Sequence, residues 1–358
     1  MQRRHARCAT RPQFVAVGLV LIASIAVGCG RSSPPESQAA KLRAAERTAA
    51  AATLRLRAFP KGAAAQTRGQ PPPVPSEGAY FGAWVQPVSY TQRGRSDAVV
   101  TLESALNRRL DIVHTYRRET ETFPRASDFA AARNGSYLLL SWAIDDAQRI
   151  ASGAEDDFIK SRAREIRSFG YPIFLEFQWE MDRPNLASVV HGPATYIAAW
   201  RHVHQIFASM HVNNVSWVWC PTAAGFADGR APAYYPGDDE VDWTCADAYP
   251  GGQAPKEPLA TLIGPYLAWA AQNGKPAMLG EFGITHAVSP ADRATWLEQA
   301  RATIAAHPQI KAVVYFDSGV RSTDPALDFS VAAPDPAFGA FRSWVDSPEF
   351  DPQDLTRS

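Results

Sequence analysis

"YPIFLEFQWEMD", residues Tyr171 to Asp182, decides the fold of this chain. Apolar and polar residues alternate through its second half, the period of a β-strand. Leu175, Phe177 and Trp179 fall on one face, and Glu176, Gln178 and Glu180 fall on the other. A strand half-buried in an open sheet would turn its polar face to water. Here the polar face carries two carboxylates and an amide, and the strand is too apolar overall to lie at a surface. The pattern predicts that Leu175, Phe177 and Trp179 pack outward against helices, while the three polar residues line an enclosed interior. A carboxylate in such a place needs a partner, a proton or a task.

Seven more segments of strand character lie outward from this one: Ala79 to Pro87, Leu110 to Arg117, Ser136 to Ile144, Asn214 to Pro221, Val241 to Tyr249, Pro276 to Ile284 and Ile310 to Ser318. Helical stretches separate them, at Asp97 to Arg109, Asp145 to Phe169, Ala194 to Met210, Leu259 to Asn273 and Pro290 to Ala306. A last helix is expected over Pro336 to Val345. Eight strands alternating with helices over residues 78–350 is the pattern of an α/β (β/α)8 barrel. A doubly wound open sheet is the competing architecture, and no Gly-rich phosphate loop follows any strand to favour it.

The 358 residues carry 36 Lys and Arg against 36 Asp and Glu, so the formal net charge is zero. That balance argues against a nucleic-acid partner, which a basic excess would signal. Residues 1–29 read as a signal peptide: four arginines up to Arg11 precede an apolar run from Phe14 to Gly28. Small residues before Cys29 resemble a lipobox, with Ala26 where Leu is usual. Lipidation of Cys29, export and anchoring at the outer face of a bacterial membrane are therefore expected, with plain secretion as the alternative. Residues 30–77 are rich in Ala and Pro and read as a linker, with helix-forming composition from Lys41 to Phe59. Residues 351–358 form a C-terminal tail. Cys220 and Cys245 are the two cysteines of the folded part, on neighbouring strands. An oxidising compartment would permit a bridge between them, and two buried thiols are the alternative.

In a (β/α)8 barrel, chemistry sits at the C-terminal ends of the strands. In chain order those ends deliver Trp84; His114 and Tyr116; Trp142; Glu180; Trp219; Asp247 and Tyr249; Glu281; and Tyr315 and Asp317. Any one aromatic there is more simply core. Two glutamates ending the fourth and seventh strands, ringed by aromatics and a histidine, are harder to explain by packing. Glycoside hydrolysis needs two carboxyl groups flanking a bond, one protonated for the leaving oxygen and one ionised. Flat rings suit the apolar faces of sugars. His202 and His204, two residues apart on a helix, diverge and do not make a zinc site. No cofactor is implied.

The segments "FLEFQWEMD", "VSWVWCP", "YYPGDDEVDWTCADAY" and "MLGEFG" together resemble glycoside hydrolase family 26 over roughly residues 79–345. That family contains β-mannanases and enzymes that cleave β-1,3-xylan or mixed-linkage β-glucan. The resemblance implies a barrel with catalytic glutamates on strands 4 and 7 and retention of anomeric configuration. It implies Glu180 as acid/base, Glu281 as nucleophile and Tyr249 as a hydrogen-bond donor to the nucleophile. Trp142 and Trp219 match sugar-contacting aromatics more loosely. The motif departs around the acid/base: Glu176 stands where the family has Arg, Trp179 where it has His and Asp182 where it has Asn. Trp84, His114, Trp179 and Asp247 are further candidates for contact with a polysaccharide or oligosaccharide substrate. A satisfied polar group near the barrel mouth is the alternative reading of His114, and loop-capping is the alternative to substrate contact for Asp247 and Asp317. Glu176, deeper on its strand, is expected to be structural, paired with a His or an Arg. A retaining endo-β-glycosidase acting on a β-mannan-like or related glycan is the leading expectation. A glycan-binding envelope lipoprotein without turnover, and a transglycosylase, are the alternatives.

Overall fold

In a computed structural model of the chain, residues 38–56, 64, 67–319 and 322–351 are described. The expected signal peptide with Cys29, parts of the linker and most of the C-terminal tail lie outside the described residues.

The fold is a (β/α)8 barrel. Helix α1 (Gln38–Leu56) precedes it, within the stretch read as linker. Then follow β1 (Tyr80–Val85), α2 (Gln92–Leu106), β2 (Ile112–Arg117), α3 (Ala126–Asn134) and β3 (Tyr137–Trp142). Two helices, α4 (Ala147–Ala151) and α5 (Asp156–Phe169), lead to β4 (Ile173–Phe177). Helices α6 (Ala187–Val190) and α7 (Pro193–Ser209), β5 (Val215–Trp219) and α8 (Ala223–Ala227) come next. The circuit ends with β6 (Trp243–Ala248), α9 (Leu259–Asn273), β7 (Ala277–Phe282), α10 (Pro290–Ala305), β8 (Ile310–Asp317) and α11 (Pro336–Arg342). The eight strands are parallel and close in sequence order, β8 pairing with β1.

All eight expected strands are present. The helices differ in three ways, each with a local cause. The stretch read as one helix from Asp145 is two, because the chain turns at Gly153, whose φ of +80° is easy only for glycine. Helix α3 was not expected: its sequence, "ASDFAAARN", is small and weakly amphipathic. Its ends hold it, with Asp128 accepting from the Arg125 backbone N–H at 2.7 Å and Gly135 closing it in the left-handed region. Asp128 also takes a two-pronged ion pair from the buried Arg117 at the end of β2, which ties helix to strand. Helices α6 and α8, four and five residues long, are likewise too short to show a period.

Strand alternation divides the buried side chains into two layers. Tyr80, Ile112, Tyr137, Leu139, Phe174, Val218, Trp243, Met278, Ala312 and Val314 form one cluster that fills the barrel interior. Leu138, Leu140, Ile173, Leu175, Phe177, Trp217 and Val313 belong to the outer layer, shared with the helices. Cys220 and Cys245 are in the inner layer and are bridged, their Cα atoms 4.3 Å apart across the β5 and β6 ends.

Two places break the alternation, and both matter for the site. Regular strand geometry in β4 stops at Phe177; Gln178 (φ +45°) and Glu180 (φ +51°) then adopt left-handed backbone, uncommon for residues with a Cβ. Hydrogen bonds hold the turn. Gln178 N–H donates to the Trp142 carbonyl (2.9 Å), its side-chain oxygen accepts from Ile144 N–H (3.0 Å), and Glu180 N–H donates to the Cys220 carbonyl (2.7 Å). In β7, Leu279 pairs with Ala246 but Glu281 pairs with Asp247, so β7 carries one extra residue, Gly280, against its neighbour. The same extra residue shows against β8, where Leu279 and Phe282 oppose Val313 and Tyr315. This is a β-bulge, a device that re-aims a side chain.

Candidate active site

The bulge puts Glu281 inside. Met278 is in the inner cluster and Leu279 in the outer, so unbroken alternation would send Glu281 outward. The extra residue has to be glycine. A Cβ on Gly280 would lie 2.6 Å from Cys245 Sγ and 2.9 Å from Asp247 Oδ1. The disulfide and the aspartate thus occupy the space where a side chain would stand, and the "GEFG" spelling has a steric cause.

Two tyrosine hydroxyls hold Glu281. Tyr116 donates to Oε1 at 2.5 Å and Tyr249 to Oε2 at 2.8 Å. Burial and nearby negative charge push both phenols well above their ordinary pKa, so they act as neutral donors. Burial first, and repulsion from Glu180 second, push Glu281 up to about 7; the two tyrosine hydrogen bonds and the Arg183 charge pull the other way. Sequence reading placed Tyr116 at the end of its strand and gave it no role. The signal was there: it lies two residues beyond His114 and therefore on the same inward face.

Glu180 stands on the turn after β4. Its side chain is mostly buried, and burial raises its pKa. Arg183, three residues on, opposes that by donating to Oε2 at 2.5 Å. Each glutamate is felt in the titration of the other groups here, and Arg183 senses both. Close carboxyl groups of this kind titrate as a pair. Asp182 next door holds the turn in register: it accepts from the backbone N–H and the hydroxyl of Thr222, at 2.9 and 2.6 Å.

Aromatic rings wall the mouth. Trp84 meets Tyr116 edge-on with ring centres 4.9 Å apart, and Trp179 lies 5.3 Å from Tyr116 on its other side. Trp179 therefore faces inward, packed on the inner cluster, not outward as alternation predicted. The left-handed backbone at Gln178 is the reason: the strand has ended before Trp179 is reached.

Four other expected contacts lie elsewhere. Trp142 and Trp219 are 1% and 0% exposed and belong to the outer layer. Trp142 packs on Phe158, Phe177 and Phe207, and Trp219 on Phe226, Tyr235 and Trp269. Withdrawing such a side chain to meet a sugar would forfeit roughly 1.5–3 kcal/mol of burial, so neither is a substrate contact. His114 is inside the barrel but one layer down, with its ring centre 4.2 Å from that of Tyr116. It is buried and burial lowers its pKa to about 3, so it is neutral. Asp247 is buried as well, paired in register with Glu281, with its Oδ1 3.3 Å from Cys220 Sγ. That approach is a contact and not a hydrogen bond, because a bridged sulfur has no proton.

Beneath the glutamate pair runs a polar layer. Ser141 donates to Glu176 Oε2, and His114 Nε2 lies 2.6 Å from the Ser141 hydroxyl. If the serine proton goes to the glutamate, His114 carries its proton on Nε2 and donates it to the serine. Glu176 is thus linked to a histidine through a serine, with no arginine in the arrangement. Burial and the neighbouring carboxylates push Glu176 and Asp247 well above the usual range. Asp317 at the end of β8 accepts from Val331 N–H at 3.0 Å and ties down the following loop.

No family model matches the chain. Endoglucanase H of Acetivibrio thermocellus is 27% identical over 278 residues, which cover 72% of this chain and 30% of that protein. The β-1,3-xylanase TXYA of a Vibrio species is 28% identical over 142 residues, covering 38% of this chain and 28% of that one. The chain thus spans less than a third of the length of these curated relatives. Among solved structures, a GH26 β-mannanase from Bacteroides ovatus superposes with a TM-score of 0.58 at 16% identity, covering 76% of this chain and 90% of that one. The resemblance to glycoside hydrolase family 26 seen in the strand ends is matched at the level of the fold.

Proposed function

We propose that this chain is a retaining β-glycosidase of the family 26 type, cleaving internal bonds of a β-linked polysaccharide by double displacement. One observation carries the reading: a buried glutamate clamped by two tyrosine hydroxyls at the end of β7, beside a second glutamate at the end of β4. Nothing in packing requires that pair, and burying two carboxyl groups together costs stability. The names of the relatives, an endoglucanase, a β-1,3-xylanase and a β-mannanase, support it.

In the first step Glu281 attacks the anomeric carbon as Glu180 protonates the departing oxygen, leaving a glycosyl ester on Glu281. In the second step Glu180 takes a proton from water, and the oxygen of that water displaces Glu281 from the anomeric carbon. Tyr116 and Tyr249 hold the carboxylate in line for attack and release it when the ester breaks. Trp84 and Trp179 offer flat faces to the sugar rings. Export and an acyl anchor on Cys29 would put this activity where extracellular or envelope glycans are met.

Incubating the protein with β-mannan, β-1,3-xylan, mixed-linkage β-glucan and uronic-acid β-glycans, and following the first product by proton NMR, tests the reading. The β-anomer should appear first, among products several sugars long. An initial α-anomer would sink the double displacement, and no cleavage of any polymer would leave glycan binding without turnover.

The tyrosine clamp makes a prediction about pH. Hydrogen bonds to a carboxylate favour its charged form, so removing one raises the pKa. Glu281 must be ionised to attack, so kcat/KM should fall as pH drops through about 7. Tyr116→Phe and Tyr249→Phe should each move that acid limb to higher pH. A limb left in place by both variants would show that the hydroxyls do not tune the nucleophile.

A further inference from the structure

Arg183 presents a problem for the mechanism. Its guanidinium donates to Glu180 Oε2 at 2.5 Å and favours the ionised form of that carboxyl. Glu281, deeper and repelled by Glu180, is pushed up to about 7. Contact with Arg183 thus favours the charged form of the group that the first step needs protonated. Something has to remove the influence of Arg183 when substrate arrives.

The surroundings of Arg183 say what. Its side chain is 48% exposed, so one end of the guanidinium is open to the barrel mouth. Of its five N–H donors, the described hydrogen bonds use one, to Glu180. Glu180 is the group that reaches the leaving oxygen, so a cation in contact with it lies beside the departing sugar. The planar fork of an arginine fits a carboxylate in two-pronged fashion. The existing pair is three residues apart and its arginine is half exposed, so a substrate anion can reach the guanidinium and compete for it.

We propose that the substrate is an acidic polysaccharide, and that Arg183 binds the carboxylate of the uronic acid unit on the leaving-group side. Its binding withdraws Arg183 from Glu180, which then takes up the proton. Protonating Glu180 removes the repulsion on Glu281, which becomes the ionised partner. Recognition of the acidic sugar and arming of the acid are thus one event. A neutral sugar at the same place leaves the ion pair intact. The inference rests on the glycosidase reading above, and on the position of Arg183 independently of which neutral backbone the glycan resembles.

The test compares kcat/KM on β-1,4-linked polymannuronate and polyglucuronate oligomers with their carboxyl-reduced forms, alongside β-mannan, β-1,3-xylan and mixed-linkage β-glucan. The wild-type protein should prefer a uronate oligomer over its reduced form by at least about tenfold, the factor that one charge-assisted hydrogen bond of about 1.4 kcal/mol supplies. Arg183→Gln should abolish that ratio, and Arg183→Lys should keep part of it. Equal rates on the acidic and reduced forms, or cleavage of neutral glycans alone, would overturn the proposal and leave the glycosidase standing. Loss of both activities in Arg183→Gln with the ratio unchanged would overturn it too, since Arg183 would then serve Glu180 only. No cleavage of any of the glycans by the wild type would instead remove the glycosidase reading on which it depends.

Discussion

Glu281→Gln should lower the turnover of any glycan the protein cleaves by roughly 10⁴–10⁶-fold, the scale on which loss of a nucleophile is felt. Glutamine keeps the shape of the side chain and cannot form the glycosyl ester. Its amide oxygen can still accept from one tyrosine, while its NH2 can donate to the hydroxyl oxygen of the other, so that bond reverses its direction. The fold should tolerate the change. The variant removes a buried carboxyl group that Glu180 repels, so its melting temperature should equal or exceed that of the wild type. Activity and melting curves measured together check this. A variant that melts normally and retains more than about a hundredth of the activity would show that Glu281 is not the nucleophile.

Glu180→Gln should behave differently, and the difference is diagnostic. Loss of a general acid costs roughly 10²–10⁴-fold where the leaving oxygen needs a proton, as in a polysaccharide. An aryl glycoside with a strongly acidic phenol leaves without help, so its first step should be nearly unaffected. The glycosyl ester should then accumulate, because water attack in the second step lacks its base. A burst of phenol followed by slow turnover, seen by stopped-flow absorbance, is the expected trace. Equal losses on the polymer and on the activated glycoside would place Glu180 in binding and not in proton transfer.

The two variants probe residues whose positions were legible to different degrees. The eight strands were legible because a fully enclosed strand is apolar and short, and the long helices between them have a clear period. Helix α3 was not, since its caps and the Arg117–Asp128 pair hold it more than its pattern does. Counting along each strand brings Glu180, Glu281, Tyr249, Trp84 and Tyr116 to the strand ends, but it gives Tyr116 no role. The same count misplaced Trp142 and Trp219. Nearness to a strand end does not tell which face a residue is on, and both of these point to the helices. His114 and Asp247 were on the right face at the wrong depth, since depth depends on how far each strand rises in the closed barrel.

The sequence by itself determined the order of the elements, the parallel closed sheet that order implies, and which carboxylates stand near its open end. It did so because burial fixes the local period of every strand. Only the tertiary structure decided where those carboxylates aim. Glu281 turns inward through an extra residue in β7, and that residue is glycine because the Cys220–Cys245 bridge and Asp247 fill its side-chain space. Trp179 and Glu180 reach the mouth because Gln178 and Glu180 take left-handed backbone, held by their hydrogen bonds to neighbouring stretches of the chain. These are long-range contacts that cancel a local preference. A period read along one strand carries no trace of what the adjacent strand will demand of it.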